Sequence, residues 1–164
     1  MTTELDIGET LIRIRVPLER SDGEAGPPDD WLWAEPLGAG RYRVESCPFF
    51  AYGISRDDVV LAATEGEGGG AVDEDAPRLD DVVEKCGHRT LRLALDPGAE
   101  LSDEGVQTFL ERLLEHGCTH EALRPKLVAV DVPPEVDVAR VAEVLQDRAN
   151  EGLLVWEWAD PRPC

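Results

Sequence analysis

The chain has 164 residues, 42% of them hydrophobic, and sets 16 Lys and Arg against 35 Asp and Glu for a formal net charge of −19. There is enough apolar material to bury a core, so the acid does not mark a disordered tail. The charge argues against a broad nucleic-acid or anionic-membrane surface. No apolar run of about 18 residues or more is present, and Met1–Asp6 lacks the basic-then-apolar pattern of a leader, so the expectation is a cytoplasmic protein with no signal peptide.

Ile12, Ile14 and Val16 alternate with Arg13 and Arg15, the period of a strand with one core face. Residues 19–30 are acidic, rich in Gly and Pro, and read as a loop. A second extended run begins at Trp31. Leu37–Gly40 supplies a glycine-containing hairpin connection, after which Tyr42 and Val44 alternate with Arg41, Arg43 and Glu45. Cys47–Tyr52 is a dense apolar patch in which Pro48 has no amide to offer a central strand. Val59–Ala63 reads as a strand, residues 64–77 as an open turn, and Leu79–Cys86 as the last strand of this region. Short strands at this spacing suggest a small antiparallel barrel.

From Arg89 onward the period changes. Leu91, Leu93 and Leu95 alternate with Thr90, Arg92 and Ala94. Ser102 suits a helix cap, with Asp103 and Glu104 in the first turn; Val106, Phe109, Leu110, Leu113 and Leu114 follow at helical spacing as far as Gly117. Residues 119–124 and 127–132 read as strands turned at Pro125-Lys126, Val138–Ala149 as a second amphipathic helix, and residues 153–158 as a closing strand. This strand–helix–strand–strand–helix–strand order is ferredoxin-like. The expected architecture is α+β: a small N-terminal antiparallel β-barrel-like unit over residues 1–88, then a ferredoxin-like βαββαβ unit over 89–164, closely packed without a linker.

The cysteines, Cys47, Cys86, Cys118 and Cys164, contain no C-x-x-C pair and read as reduced thiols. Cys86-Gly87-His88 and Cys118-Thr119-His120 have the census of a zinc site without its spacing, because strand residues two apart lie about 7 Å from each other. No metal is assigned. No serine sits in a G-x-S-x-G context, Cys47 precedes a proline in apolar surroundings, and the glycines at 66–70 lack the Lys and Ser/Thr of a phosphate loop. No catalytic residue or cofactor is assigned, and the balance leans away from an enzyme.

The binding candidates are His88, Arg89, Arg43, Arg92, Phe49, Phe50, Tyr52 and Trp33. His88 and Arg89 stand at the junction of the two expected units, where pockets tend to form. There Arg89, with Arg92 or Arg43, would hold an anion or a peptide carboxylate; the competing reading pairs Arg89 with Asp80, Asp81 or Asp96. Phe49, Phe50 and Tyr52, bracketed by Pro48 and Gly53, lean toward the surface. Trp156 and Trp158, two apart on one strand, share a face and read as core.

The stretch Leu32–Val60, with its W-A-E-P-L-G-A-G-R-Y opening, P-F-F-A-Y-G centre and D-V-V strand, resembles the bacterial DUF4265 family of unknown function. Gly87, His88, Thr90 and Arg92, and later Ala129–Pro133, extend the similarity over nearly the whole chain. The resemblance implies a shared pattern, typically in small stand-alone proteins, and no mechanism. Two functions remain in view. One is a non-enzymatic accessory or immunity-type protein that captures a basic protein partner. The other is a small-molecule or peptide-sensing module using the groove between the two units. The pattern leaves open a homodimer through the edge of the second sheet.

Overall fold

A computed structural model describes residues 11–18, 28–64 and 76–160. Five strands, β1 (Ile12–Pro17), β2 (Asp29–Gly38), β3 (Arg41–Val44), β4 (Val59–Ala63) and β5 (Arg78–Glu84), follow one another round a closed barrel. Each pairs antiparallel with the next. The seam is parallel: Arg15 of β1 faces Arg78 of β5, and the Arg15 amide donates to the Pro77 carbonyl at 2.9 Å. Alternation drives the closure, since Ile14, Val16, Leu32, Ala34, Val44, Val60 and Ala62 turn inward as one buried cluster while Arg13, Trp33 and Arg43 face out. The turn from β2 to β3 runs through Gly38, Ala39 and Gly40, all at positive φ.

The second body has β6 (Arg89–Leu95), α1 (Glu104–Glu115), β7 (Thr119–Arg124), β8 (Leu127–Val132), α2 (Val138–Asn150) and β9 (Leu154–Asp160). Its strands lie in the order β7-β8-β6-β9, all antiparallel, which is the ferredoxin-like arrangement. Leu91, Leu93, Leu95, Val128, Val130 and Val132 point to the helices and meet Val106, Phe109, Leu113, Val141 and Leu145 in one core. Trp156 and Trp158 pack against this core edge-to-face, ring centres 5.9 Å apart.

Three details differ from the sequence reading. The loop expected over 19–30 ends early, because Asp29 and Asp30 already pair with Pro17 and Val16 as the first rungs of β2; residues 19–27 lie outside the described residues, as does most of the expected turn at 64–77. The residue capping α1 is Asp103, not Ser102, and its carboxylate accepts from the Glu100 amide instead of from the helix. The Thr90 and Arg92 face of β6, which alternation sets opposite the leucines, is no solvent face: both residues are buried, as Leu91 between them is.

Both helices end on a glycine at positive φ, but in different surroundings. A Cβ at Gly117 (φ +100) would sit 3.0 Å from a Val136 methyl, whereas one at Gly152 (φ +80) would meet nothing within 4 Å. Gly117→Ala is therefore expected to lower stability by more than the roughly 1–2 kcal/mol of left-handed backbone strain alone, and Gly152→Ala by about that strain alone; urea denaturation midpoints of the two variants check the difference.

Candidate functional site

The back of the second sheet, opposite the helices, is covered by the connection between β3 and β4. Residues 45–58 form no helix or strand, and carboxylates reaching in from β2 and β7 hold their backbone. Asp30, at the start of β2, accepts from the Trp31 amide with one oxygen (2.9 Å) and from the amides of Phe50 (2.8 Å) and Ala51 (3.0 Å) with the other. Glu121 on β7 accepts from the Cys47 amide at 2.7 Å. With the amides of Cys47, Phe50 and Ala51 held, Phe49 and Phe50 stand half-buried as a ridge between barrel and sheet.

Arg92 anchors the far end of this ridge. Its guanidinium is buried on the back of β6, donates to the Ala51 carbonyl at 2.9 Å, lies 3.4 Å from Glu157 and stacks under the Tyr52 ring at 4.5 Å. The Tyr52 hydroxyl donates to the Glu157 carboxylate at 2.9 Å, a bond that, with that carboxylate's charge, raises the phenol's pKa.

A second anchor lies where Lys85 reaches both Asp58 and Asp160, two fully buried carboxylates, and the Gly53 carbonyl. The Ser55 hydroxyl donates to Asp160 at 2.6 Å, and the Thr90 hydroxyl lies 2.9 Å from the Ser55 oxygen. Every polar group here has a partner, which is what burial demands. Ser55 and Thr90 are wholly enclosed, so neither hydroxyl meets solvent.

His88 is held between two carboxylates, Nδ1 2.8 Å from Asp131 and Nε2 3.2 Å from Asp57, a residue at φ +69. Burial raises the pKa of Asp131 even though His88 pulls it down. Burial also raises the thiols of Cys47 and Cys118, the latter to about 11, so neither is an activated nucleophile. Among the described residues no group of three or more His, Cys, Asp or Glu is placed to hold a metal ion.

Two grooves flank the ridge. The smaller, about 370 Å³, runs between Phe49, Phe50 and Tyr52 on one side and Ala94, Leu127, Val155 and Glu157 on the other. The larger, about 730 Å³, lies between the ridge, the barrel wall at Trp31 and Trp33, and Glu121–Leu123 of β7; Asp29 and Asp30 line it too, and Arg13 stacks on Trp31 at 4.2 Å.

The expected binding residues thus separate. Phe49, Phe50, Tyr52 and Arg92 converge on the small groove, and Trp33 joins Phe49 and Phe50 in the large one. The arginines do not converge on an anion. Arg43 stands on the outer barrel wall, 3.1 Å from Glu35. Arg89 opens β6 opposite Val132, on the face of Leu91 and Leu93. Arg92 is already surrounded by a carbonyl, a carboxylate and a ring. His88 has both nitrogens on carboxylates. Asp30, Glu121, Val155 and Glu157 were not singled out in the sequence; the first hides in the acidic pair Asp29-Asp30, and the others become notable only through strand order.

A family model described as a domain of unknown function, DUF4265, matches residues 30–156, from the second residue of β2 to the third residue of β9. The chain belongs to the DUF4265 family. It is similar to a hypothetical protein from Neisseria gonorrhoeae whose crystal structure is solved, with 14% identity and a TM-score of 0.72 over 92% of this chain and 95% of that one. At that identity the likeness is one of fold. Among curated proteins no sequence matches. The family match takes in the whole ridge of this DUF4265 chain and most of the lining of both grooves, leaving out Arg13, Pro28 and Asp29 of the larger and Glu157 of the smaller.

The Asp131 shift gives the junction a pH signature. A carboxyl whose pKa is raised on folding binds more protons folded than unfolded, so its contribution to stability is full below 3.8 and is lost as pH rises through the raised value. Asp131→Asn has no such loss. Relative to the native chain, Asp131→Asn is expected to gain stability as pH is raised from about 3 to about 7, measured by urea unfolding; a difference constant with pH would contradict it.

Proposed function

We propose that this protein works by binding a cationic segment of a protein partner across the Phe49–Phe50 ridge, as a non-enzymatic accessory or immunity-type protein of the cytoplasm. The observation that carries the reading is the larger groove, where Trp31, Trp33 and the two phenylalanines stand beside Asp29 and Glu121. Aromatic rings attract Lys and Arg through their π faces, and carboxylates at their margin add charge. Trp33 is 49% exposed and Tyr52 64%, an outlay of large side chains that fits a surface meant to be covered. The charge of −19 favours the approach of a basic partner at a distance, an attraction that salt screens.

The satisfied state of Arg92 and the dispersal of Arg43 and Arg89 weigh against an anion receptor. The smaller groove supports a second reading, a small-molecule or peptide-sensing module, because it is largely apolar and lies between barrel and sheet.

Affinity capture from native lysate, with tagged native chain and Trp33→Ala side by side, tests the first reading. The expected outcome is a basic protein recovered in stoichiometric amount at low salt, and lost both at about 0.5 M salt, where the screening length is only a few ångströms, and with Trp33→Ala. An empty eluate at both salts, or the same proteins recovered with either chain, would overturn it.

A further inference from the structure

The second sheet has two edge strands, β7 and β9, and they are protected unequally. β7 reads Thr-His-Glu-Ala-Leu-Arg, with charge along it and a register shift between Ala122 and Arg124. These are the usual devices against unwanted strand pairing. β9 reads Leu-Val-Trp-Glu-Trp before Ala159 and Asp160, with neither Lys nor Pro. Its one irregularity lies at the far end, opposite Thr90 and Leu91, where the Gly53 amide donates to the Ala159 carbonyl at 3.0 Å. From Leu154 to Trp158 the register against β6 is regular, and among the described residues no strand pairs with the other side of β9.

The ladder shows which peptide groups face outward. The Asp96 amide donates to the Leu153 carbonyl at 2.8 Å, and bonded pairs alternate along an antiparallel ladder. Val155 and Glu157 therefore direct their peptide groups to β6, while Leu154 and Trp156 turn theirs away from the sheet. The side chains follow the same alternation. Val155, 69% exposed, stands on the groove side with Glu157, beside the pocket of about 370 Å³ that reaches Phe49 and Tyr52. A largely apolar pocket on the back of the sheet thus reaches β9, whose outer edge turns hydrogen-bonding groups away from the sheet.

We propose that β9 is a site of β-strand addition: an extended, basic segment of the partner pairs with its outer edge and sets aliphatic side chains into the smaller groove. The proposal rests on the binding reading above and names the form the bound segment takes. Charge decides the occupant. A second copy of this chain would bring another −19 to the same edge, whereas a lysine-bearing strand is drawn to it, and Glu157, the only ionisable residue between Leu154 and Trp158, is acidic.

The probe is a synthetic seven-residue peptide alternating lysine and valine, followed by titration calorimetry. Two twins carry backbone N-methyl groups, one on every lysine and one on every valine. In strand addition only one of these two sets of amides faces β9, so one twin is expected to lose binding about tenfold or more and the other to keep it. Val155→Lys, a change at an exposed side chain, is expected to lose at least as much while its circular dichroism stays that of the native chain. If both twins bind like the parent peptide, or Val155→Lys binds it normally, strand addition is overturned. If the parent peptide does not bind while a partner is still captured in a Trp33-dependent way, strand addition again falls and the binding reading stands. If neither binding nor Trp33-dependent capture occurs, both fall.

Discussion

A guanidinium buried on a sheet has to be met by oxygen, and how Arg92 is met governs the relation between barrel and sheet. Its partners are the Ala51 carbonyl and Glu157, with the Tyr52 ring above it. Ala51 can be there because Asp30, on a barrel strand, holds the amides of Phe50 and Ala51. A chain of contacts therefore runs from β2 through the ridge to β6 and β9. Lys85, Asp58 and Asp160 make a second such link. Buried ion pairs add little net stability as built, yet breaking one by removing a single partner costs about 3–5 kcal/mol. Their effect here is specificity: one placement of the 45–58 connection satisfies them, and in that placement two aromatic rings cannot withdraw from the surface.

The acidic composition conceals two populations. Asp30, Asp58, Asp131 and Asp160 are buried and serve as acceptors for amides, a hydroxyl, a lysine and a histidine. An aspartate suits that task because its short side chain reaches neighbouring backbone amides with little freedom to lose. Among the described residues most of the other acids are exposed and contribute to the chain's long-range field. A count of carboxylates does not distinguish the two kinds, although they act in opposite settings.

What could be read in the sequence was periodic. The alternation of Ile12, Ile14 and Val16 and of Leu91, Leu93 and Leu95, and the helical spacing from Val106 to Leu114, locate β1, β6 and α1, and the order of elements yields the ferredoxin-like half. What could not be read depends on packing between distant segments. Thr90 and Arg92 look like a solvent face because alternation reports polarity, and only the covering connection makes that face an interior. Arg43 seemed a neighbour of His88 by chemistry, and strand order puts it against Glu35 on the outer barrel wall. Val155 carries no signal of its own, since its exposure follows from β9 being an edge. Of the candidate site, the aromatic residues that line the grooves, Phe49, Phe50, Tyr52 and Trp33, could be named from the sequence, and the carboxylates beside them could not.

The polar links are expected to make barrel and sheet one cooperative body with a fixed ridge. Native-state hydrogen exchange under increasing denaturant tests this most directly. The amides of Val44 and Val60 in the barrel and of Leu93 and Val130 in the sheet should converge on one opening free energy with one denaturant slope, and those of Phe50 and Ala51 should share it. Barrel amides that exchange through a separate, lower-energy opening while the sheet stays protected would contradict the account.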